Sequence, residues 1–211
     1  MDSTRTTWSV PRGNDQQWIE SRGGRDVTIT CHPVRGERVE FLNEPDDPSN
    51  GPLTLKFHLD AGHEVGEHTH PEQTETITVN RGAIRATIDG EDRLLEVGDN
   101  ESIAPGVPHG YEVVGDDSAV LAVSMTPGLE FKEFVVSEHA LGASDYPESG
   151  LNLPYFALVA KRHGLMIAPP SDGVRLKLLV AVLSSIGRLK RLRIPDEPLP
   201  VRNGSDGSTG E

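Results

Sequence analysis

Apolar and polar residues alternate over short stretches through most of the first two thirds of the chain. Leu53, Leu55, Phe57 and Leu59 are separated by single residues in Leu53-Thr54-Leu55-Lys56-Phe57-His58-Leu59, a period of two that predicts a half-buried strand. Val27-Thr28-Ile29-Thr30-Cys31 alternates in the same way and places Cys31 as a buried small hydrophobe. Thr74 to Val79, Ala83 to Ile88, Arg93 to Val97, Ser118 to Ser124 and Phe131 to Val136 complete the predicted strands. Asp89-Gly90 opens the link between two of them and predicts a hairpin, because glycine supplies a positive φ. Short strands and turn signals at this spacing predict an all-β barrel over 27–137.

After Tyr146-Pro147-Glu148-Ser149-Gly150 the pattern becomes helical. Asn152 and Pro154 suit the start of a helix over 153–163. Leu176, Leu179, Val180, Leu183 and Ile186 form the stripe of a second over 174–193. The expected organisation is a loose N-terminal arm over 1–26, the barrel, a helical extension over 150–194 and a disordered Gly/Ser/Asp-rich tail over 195–211. No internal repeat is evident, which excludes two barrels in the chain.

The segment Gly62-His63-Glu64-Val65-Gly66-Glu67-His68-Thr69-His70-Pro71-Glu72-Gln73-Thr74-Glu75, closed by Gly82, carries the candidate chemistry. His68 and His70 share a face if the segment is extended, about 7 Å apart along the backbone. Both imidazoles then reach one ion at bonds of roughly 2.0–2.1 Å. The following strand can return Glu75 to the same point, and His109 in Ala104-Pro105-Gly106-Val107-Pro108-His109 offers a fourth ligand. Three imidazoles and a carboxylate suit a borderline divalent transition metal: iron, manganese, nickel, cobalt or zinc.

Gly62 to Gly82 resembles the first cupin motif, G-x5-H-x-H-x4-E-x6-G, at every specified position. Gly98 to His109 resembles the second, G-x5-P-x-G-x2-H-x3-N, with Ala104 in place of the usual proline and Val113 in place of the asparagine. The resemblance covers roughly 27–137. It implies a double-stranded β-helix, or jelly-roll barrel, with two helices appended here. It also implies a metal held by His68, His70, Glu75 and His109, and a small-molecule ligand. Cupins of this kind include dioxygenases, isomerases, decarboxylases and proteins without a known reaction. The expectation is a metal-dependent enzyme, oxygenase-like, on a small organic molecule, with a non-catalytic binding or sensing protein as the alternative.

Tyr111, two residues beyond His109, is the candidate catalytic residue, a donor to a ligand on the metal; an amphipathic wall residue is the competing reading. Gln73 and an inward-turned Arg85 are candidates to support the site. His63, Glu67 and Glu72 read as solvent-facing loop polarity, and His32, His58, His139 and His163 as structural.

Composition narrows the partners. Of 211 residues, 33 are acidic and 20 basic, a net charge of −13, which excludes a general nucleic-acid binder. The first 25 residues carry no apolar core and no run approaches the roughly 20 residues of a membrane span, so a cytoplasmic protein without a signal peptide is expected. Arg188, Lys190, Arg191 and Arg193 close the second predicted helix. Their bland reading is a solvated face aligned with the helix dipole. Contact with an anionic membrane surface is the sharper one. Docking of the apolar stripe on the barrel or across a homodimer is favoured over both, and a dimer also covers exposed strand edges.

Overall fold

A computed structural model describes residues 17–32, 35–140, 157–159, 162, 166–167, 185 and 202–203. The strands are β1 (Gln17–Arg22), β2 (Arg25–His32), β3 (Glu37–Asn43), β4 (Leu53–Leu59), β5 (Glu64–Thr69), β6 (Thr74–Arg81) and β7 (Ile84–Ile88). They continue as β8 (Glu91–Leu95), β9 (Asn100–Ile103), β10 (His109–Val113), β11 (Ala119–Thr126), β12 (Met166–Ile167) and β13 (Arg202–Asn203). One helix, α1 (Phe131–Ala140), follows β11. Two sheets result, in the orders β13-β1-β2-β3-β4-β11-β6-β9 and β12-β5-β10-β7-β8. All pairings are antiparallel except β13 against β1. The fold is the expected all-β jelly roll.

Period-two burial builds the core. Leu53, Leu55, Phe57 and Leu59 of β4 are buried, as their alternation predicts. Ala119, Leu121, Val123 and Met125 of β11 lie beside them in register, Leu121 opposite Phe57 and Val123 opposite Leu55. On β6 the inward positions are Glu75, Ile77 and Val79, so the glutamate occupies the first core-facing site of an otherwise apolar strand. Asp89 and Gly90, both at positive φ, join Ile88 to Glu91 in a two-residue hairpin; β8 begins two residues earlier than the sequence suggests.

Three expectations are corrected. Residues 17–26, assigned to a loose arm, are strand: Arg22 pairs with Arg25 across Gly23-Gly24, whose φ values of 59° and 81° make a tight turn. Their polarity hides an edge region that needs little apolar surface. Phe131 to Val136 is helix rather than strand. Val135, Val136, Glu138 and His139 are buried, and because two of these are polar, the helical stripe does not register as apolar periodicity. In the tail expected to be disordered, Trp18 and Ile19 of β1 pair with Arg202 and Asn203.

Of the two expected C-terminal helices, Ala157–Val159, Arg162 and Ser185 are helical, with Ala157, Leu158 and Val159 buried. The rest of both helices, most of the arm and most of the tail lie outside the described residues. Among the described residues no helix is long and apolar enough to cross a membrane.

Candidate metal centre

His68 lies near the end of β5 and His70 just beyond it; Glu75 enters on β6, and His109 opens β10 directly opposite His68. The hydrogen bond from Gly106 N–H to the His70 carbonyl, 2.8 Å, ties the loop before β10 to the histidine pair. The turn survives with Ala104 in place, Val107 N–H donating to its carbonyl at 3.2 Å. Val113 is a buried core residue.

The four side chains meet at their tips. Nε2 of His68 is 3.1 Å from Nε2 of His70. Oε2 of Glu75 is 3.1 Å from Nε2 of His70 and 2.9 Å from Nε2 of His109. Bonds of about 2.0–2.2 Å put ligand atoms at right angles about 2.8–3.1 Å apart. The spacing is that of adjacent corners around one first-row cation.

Hydrogen bonding sets the same orientation. Nδ1 of His68 is 2.9 Å from the Gly66 carbonyl, and Nδ1 of His109 is 2.9 Å from the Val107 carbonyl. A carbonyl only accepts, so Nδ1 carries the proton and each neutral ring turns the Nε2 lone pair inward, the tautomer a metal-binding imidazole needs. Without a cation, His109 must be doubly protonated to donate to Glu75 as well. Its pKa is accordingly raised: burial opposes the charge, and the Glu75 hydrogen bond outweighs burial. Burial also opposes ionisation of Glu75, yet hydrogen bonds from His109 and His70 hold its carboxyl well below the usual range. His68 is pushed down to about 3, first by desolvation and then by the neighbouring imidazoles. An ionised carboxylate, a neutral His68 and inward lone pairs fit a divalent cation.

Residues 55–125 match the family model described as a cupin domain. This chain carries a cupin domain.

Among curated proteins no match was found. The cupin is similar in structure to KdgF from Halomonas sp., at 22% identity over 43% of this chain and 78% of that one, with a TM-score of 0.38. An RmlC-like cupin from Shewanella frigidimarina matches at 22% identity over 52% of this chain and 83% of that one, with a TM-score of 0.39. The polyketide cyclase RemF from Streptomyces resistomycificus matches at 18% identity over 43% and 65%, with a TM-score of 0.39.

Within this cupin the remaining candidates separate. Tyr111 is buried, and burial followed by the Glu75 and Glu37 carboxylates drives its phenol well above the ordinary range. It therefore stays protonated. Gln73 donates to the carbonyls of Pro127 at 3.0 Å and Gly128 at 2.8 Å, which fixes the entry to β6 against the segment leading into α1. Phe131 of α1 packs edge-on against His70, ring centroids 5.5 Å apart. Arg85 does not turn inward; it is exposed and paired with Glu112.

Gly110, between His109 and Tyr111, sits where β10 bulges against β5. A Cβ there would lie 2.7 Å from the Val65 carbonyl oxygen and 3.1 Å from the Glu67 nitrogen. Gly110→Ala is expected to lower stability by about 1–2 kcal/mol, the scale of overpacking, and to weaken ion binding by displacing His109. Urea unfolding and metal titration of the variant check both.

His63 overturns its reading as solvent-facing: it is buried, with Nε2 3.3 Å from Glu37. His139, read as merely structural, gathers with Glu37 and Glu138 into a second group of ligand-type atoms within 4.8 Å of one another. The sequence carries no spacing signal for this group, because it joins β3 and α1, far apart along the chain. Cys31 is buried as expected, and desolvation pushes its thiol up to about 11, so it stays protonated.

Proposed function

We propose that this cupin is a divalent-metal-dependent enzyme acting on a small organic molecule, and that the reaction class is oxygenase-like. The convergence of three imidazole Nε2 atoms and Oε2 of Glu75, with neighbouring contacts of 2.9–3.1 Å, carries the reading. A first-row dication bound there supplies Lewis acidity and exchangeable positions for a small molecule or dioxygen.

The chain's own residues supply the rest. His70, Glu75 and His109 are buried whereas His68 is only partly so, which makes the His68 side the approach for a ligand. Tyr111 presents a phenol that can donate a hydrogen bond or a proton but does not serve as a base, because its burial and then Glu75 oppose the phenolate. Gln73, its amide committed to two backbone carbonyls, positions β6 and is not a contact for the substrate.

The test loads the chelator-stripped protein with iron, manganese, nickel, cobalt or zinc in turn and follows oxygen consumption over a panel of small organic molecules. Metal-dependent uptake is expected, with Tyr111→Phe lowering kcat about tenfold, the value of one lost hydrogen bond, at unchanged metal content. Uptake unaffected by metal removal would refute the reading. Ligand binding without turnover for every metal would replace it with a non-catalytic binding or sensing protein.

A further inference from the structure

The second group of ligand-type side chains lies where α1 docks on the barrel. Glu37 is the first residue of β3, His63 immediately precedes β5, and Glu138 and His139 lie near the end of α1. All four are buried, although ionisable side chains are seldom buried without a compensating partner. Nε2 of His139 is 3.3 Å from Oε1 of Glu37 and 3.7 Å from Oε2 of Glu138. Nε2 of His63 is 3.3 Å from the other Glu37 oxygen, Oε2. Nδ1 of His63 donates to the Arg35 carbonyl at 2.9 Å, and Nδ1 of His139 is 3.2 Å from Thr30 Oγ1. Each ring thus anchors Nδ1 on a neutral partner and turns Nε2 toward the carboxylates.

A buried ion-pair network is the competing account; the His139 contact to Glu37 is within hydrogen-bond range at 3.3 Å, but long for a charged pair. Charge-assisted N–H···O bonds are usually about 2.7–2.9 Å, the length seen where Glu40 meets Arg38 and His58 at 2.9 Å. The contacts among Glu37, His63, Glu138 and His139 are all 3.3–3.7 Å. Nε2 of His63 is buried and makes no hydrogen bond despite its proximity to Glu37. Atoms bonded at about 2.0–2.2 Å to a shared tetrahedral centre lie about 3.3–3.6 Å apart. The separations of His139 from Glu37 and Glu138 are longer than those charge-assisted pairs and suit an ion between the partners.

Charge argues the same way. Two buried carboxylates face one guanidinium, Arg35, whose Nη1 holds Oε1 of Glu138 at 3.1 Å and leaves Oε2 turned toward His139. Nε2 of His32 lies 3.8 Å from the same Oε1, outside the ligand set. Burial and then the neighbouring Glu37 raise the pKa of Glu138, whereas that of Glu37, opposed by the same burial, is held low by His139 and His63, so the uncompensated charge lies on the Glu138 side.

We propose that Glu37, Glu138 and His139 form a second divalent-cation site, separate from the cupin centre, that staples α1 to β3, with His63 beside it on the other Glu37 oxygen. Its imidazole and two carboxylates suit a divalent first-row ion such as zinc. With its ligands buried where α1 meets the barrel, the ion would join elements of the fold rather than meet a substrate.

The test counts ions in the full chain after chelator treatment, by cobalt(II) titration followed through visible absorption and by elemental analysis of the zinc-loaded protein. Two ions per chain are expected. The His68→Ala/His109→Ala variant should retain one, with a metal-induced rise in Tm, and Glu138→Gln should also retain one, now at the cupin centre. Circular dichroism verifies folding of each variant. Saturation at one ion, with no binding left in His68→Ala/His109→Ala, overturns the second site, as does a folded Glu138→Gln that still takes two. Should Glu138→Gln fail to fold, the ion count and thermal shift of His68→Ala/His109→Ala decide alone. Loss of binding at the cupin centre would leave this count of one intact, so the two sites succeed or fail independently.

Discussion

Glu75→Gln is expected to weaken divalent-ion binding by more than about 100-fold, beyond the 10–100-fold typical of losing a residue that merely supports a ligand. Glu75 supplies the sole carboxylate of the cupin centre, its Oε2 lying 2.9 Å from His109 and 3.1 Å from His70. The amide keeps the volume and removes the charge that opposes the dication. His68 and His109 keep their Nδ1 contacts to Gly66 and Val107, so the rings remain aimed while the fourth donor is gone. Competition against a chromophoric chelator measures the affinity. The effect should also appear as lost protection: an ion at 100 times its Kd stabilises the fold by about 2.7 kcal/mol, and the variant should show little of that rise at the same concentration. A variant that binds as tightly as the native chain would remove Glu75 from the ligand set.

Glu40→Gln is expected to cost about 3 kcal/mol at neutral pH, the scale of breaking a buried ion pair. Oε1 of Glu40 meets Arg38 and His58, each at 2.9 Å, and Oε2 meets Arg22 at 2.8 Å. Burial opposes its ionisation, but the His58 hydrogen bond and the two guanidinium groups prevail and lower its pKa to about 2. A folded-state value below the unfolded one means the stabilisation is fully present above about pH 4.3 and is lost as pH falls toward the folded value. Urea unfolding from neutral pH to about pH 2 should therefore show a native chain whose stability drops through this window and a variant whose curve is flatter there. Parallel curves would assign the acid sensitivity to other groups.

The candidate centre was legible because its four side chains obey local rules. His68 and His70 are one residue apart, Glu75 starts the next strand on its inward face, and His109 follows a glycine-bounded turn. The alternation of β4 was legible for the same reason: its period is written in adjacent residues. What was not legible depends on contacts distant in sequence. His63 looks like loop polarity until Glu37, on another strand, is brought against it. The helix α1 escaped because its buried face includes Glu138 and His139, so an apolar template read Val135-Val136 as strand. Gly23-Gly24 escaped because a polar hairpin at the margin of a sheet has almost no hydrophobic signature.

The pairing of Met166 and Ile167 with Thr69 and His68 bears on how this protein can be shortened. Because of it, the strand that delivers His68 is flanked on both sides rather than left at the rim of its sheet. A fragment trimmed to the matched 55–125 would strip away that neighbour and the Phe131 ring against His70, leaving an open border ready to recruit a second molecule. Work on the isolated barrel would then report on an altered centre, so the downstream polypeptide belongs in any preparation used to characterise it.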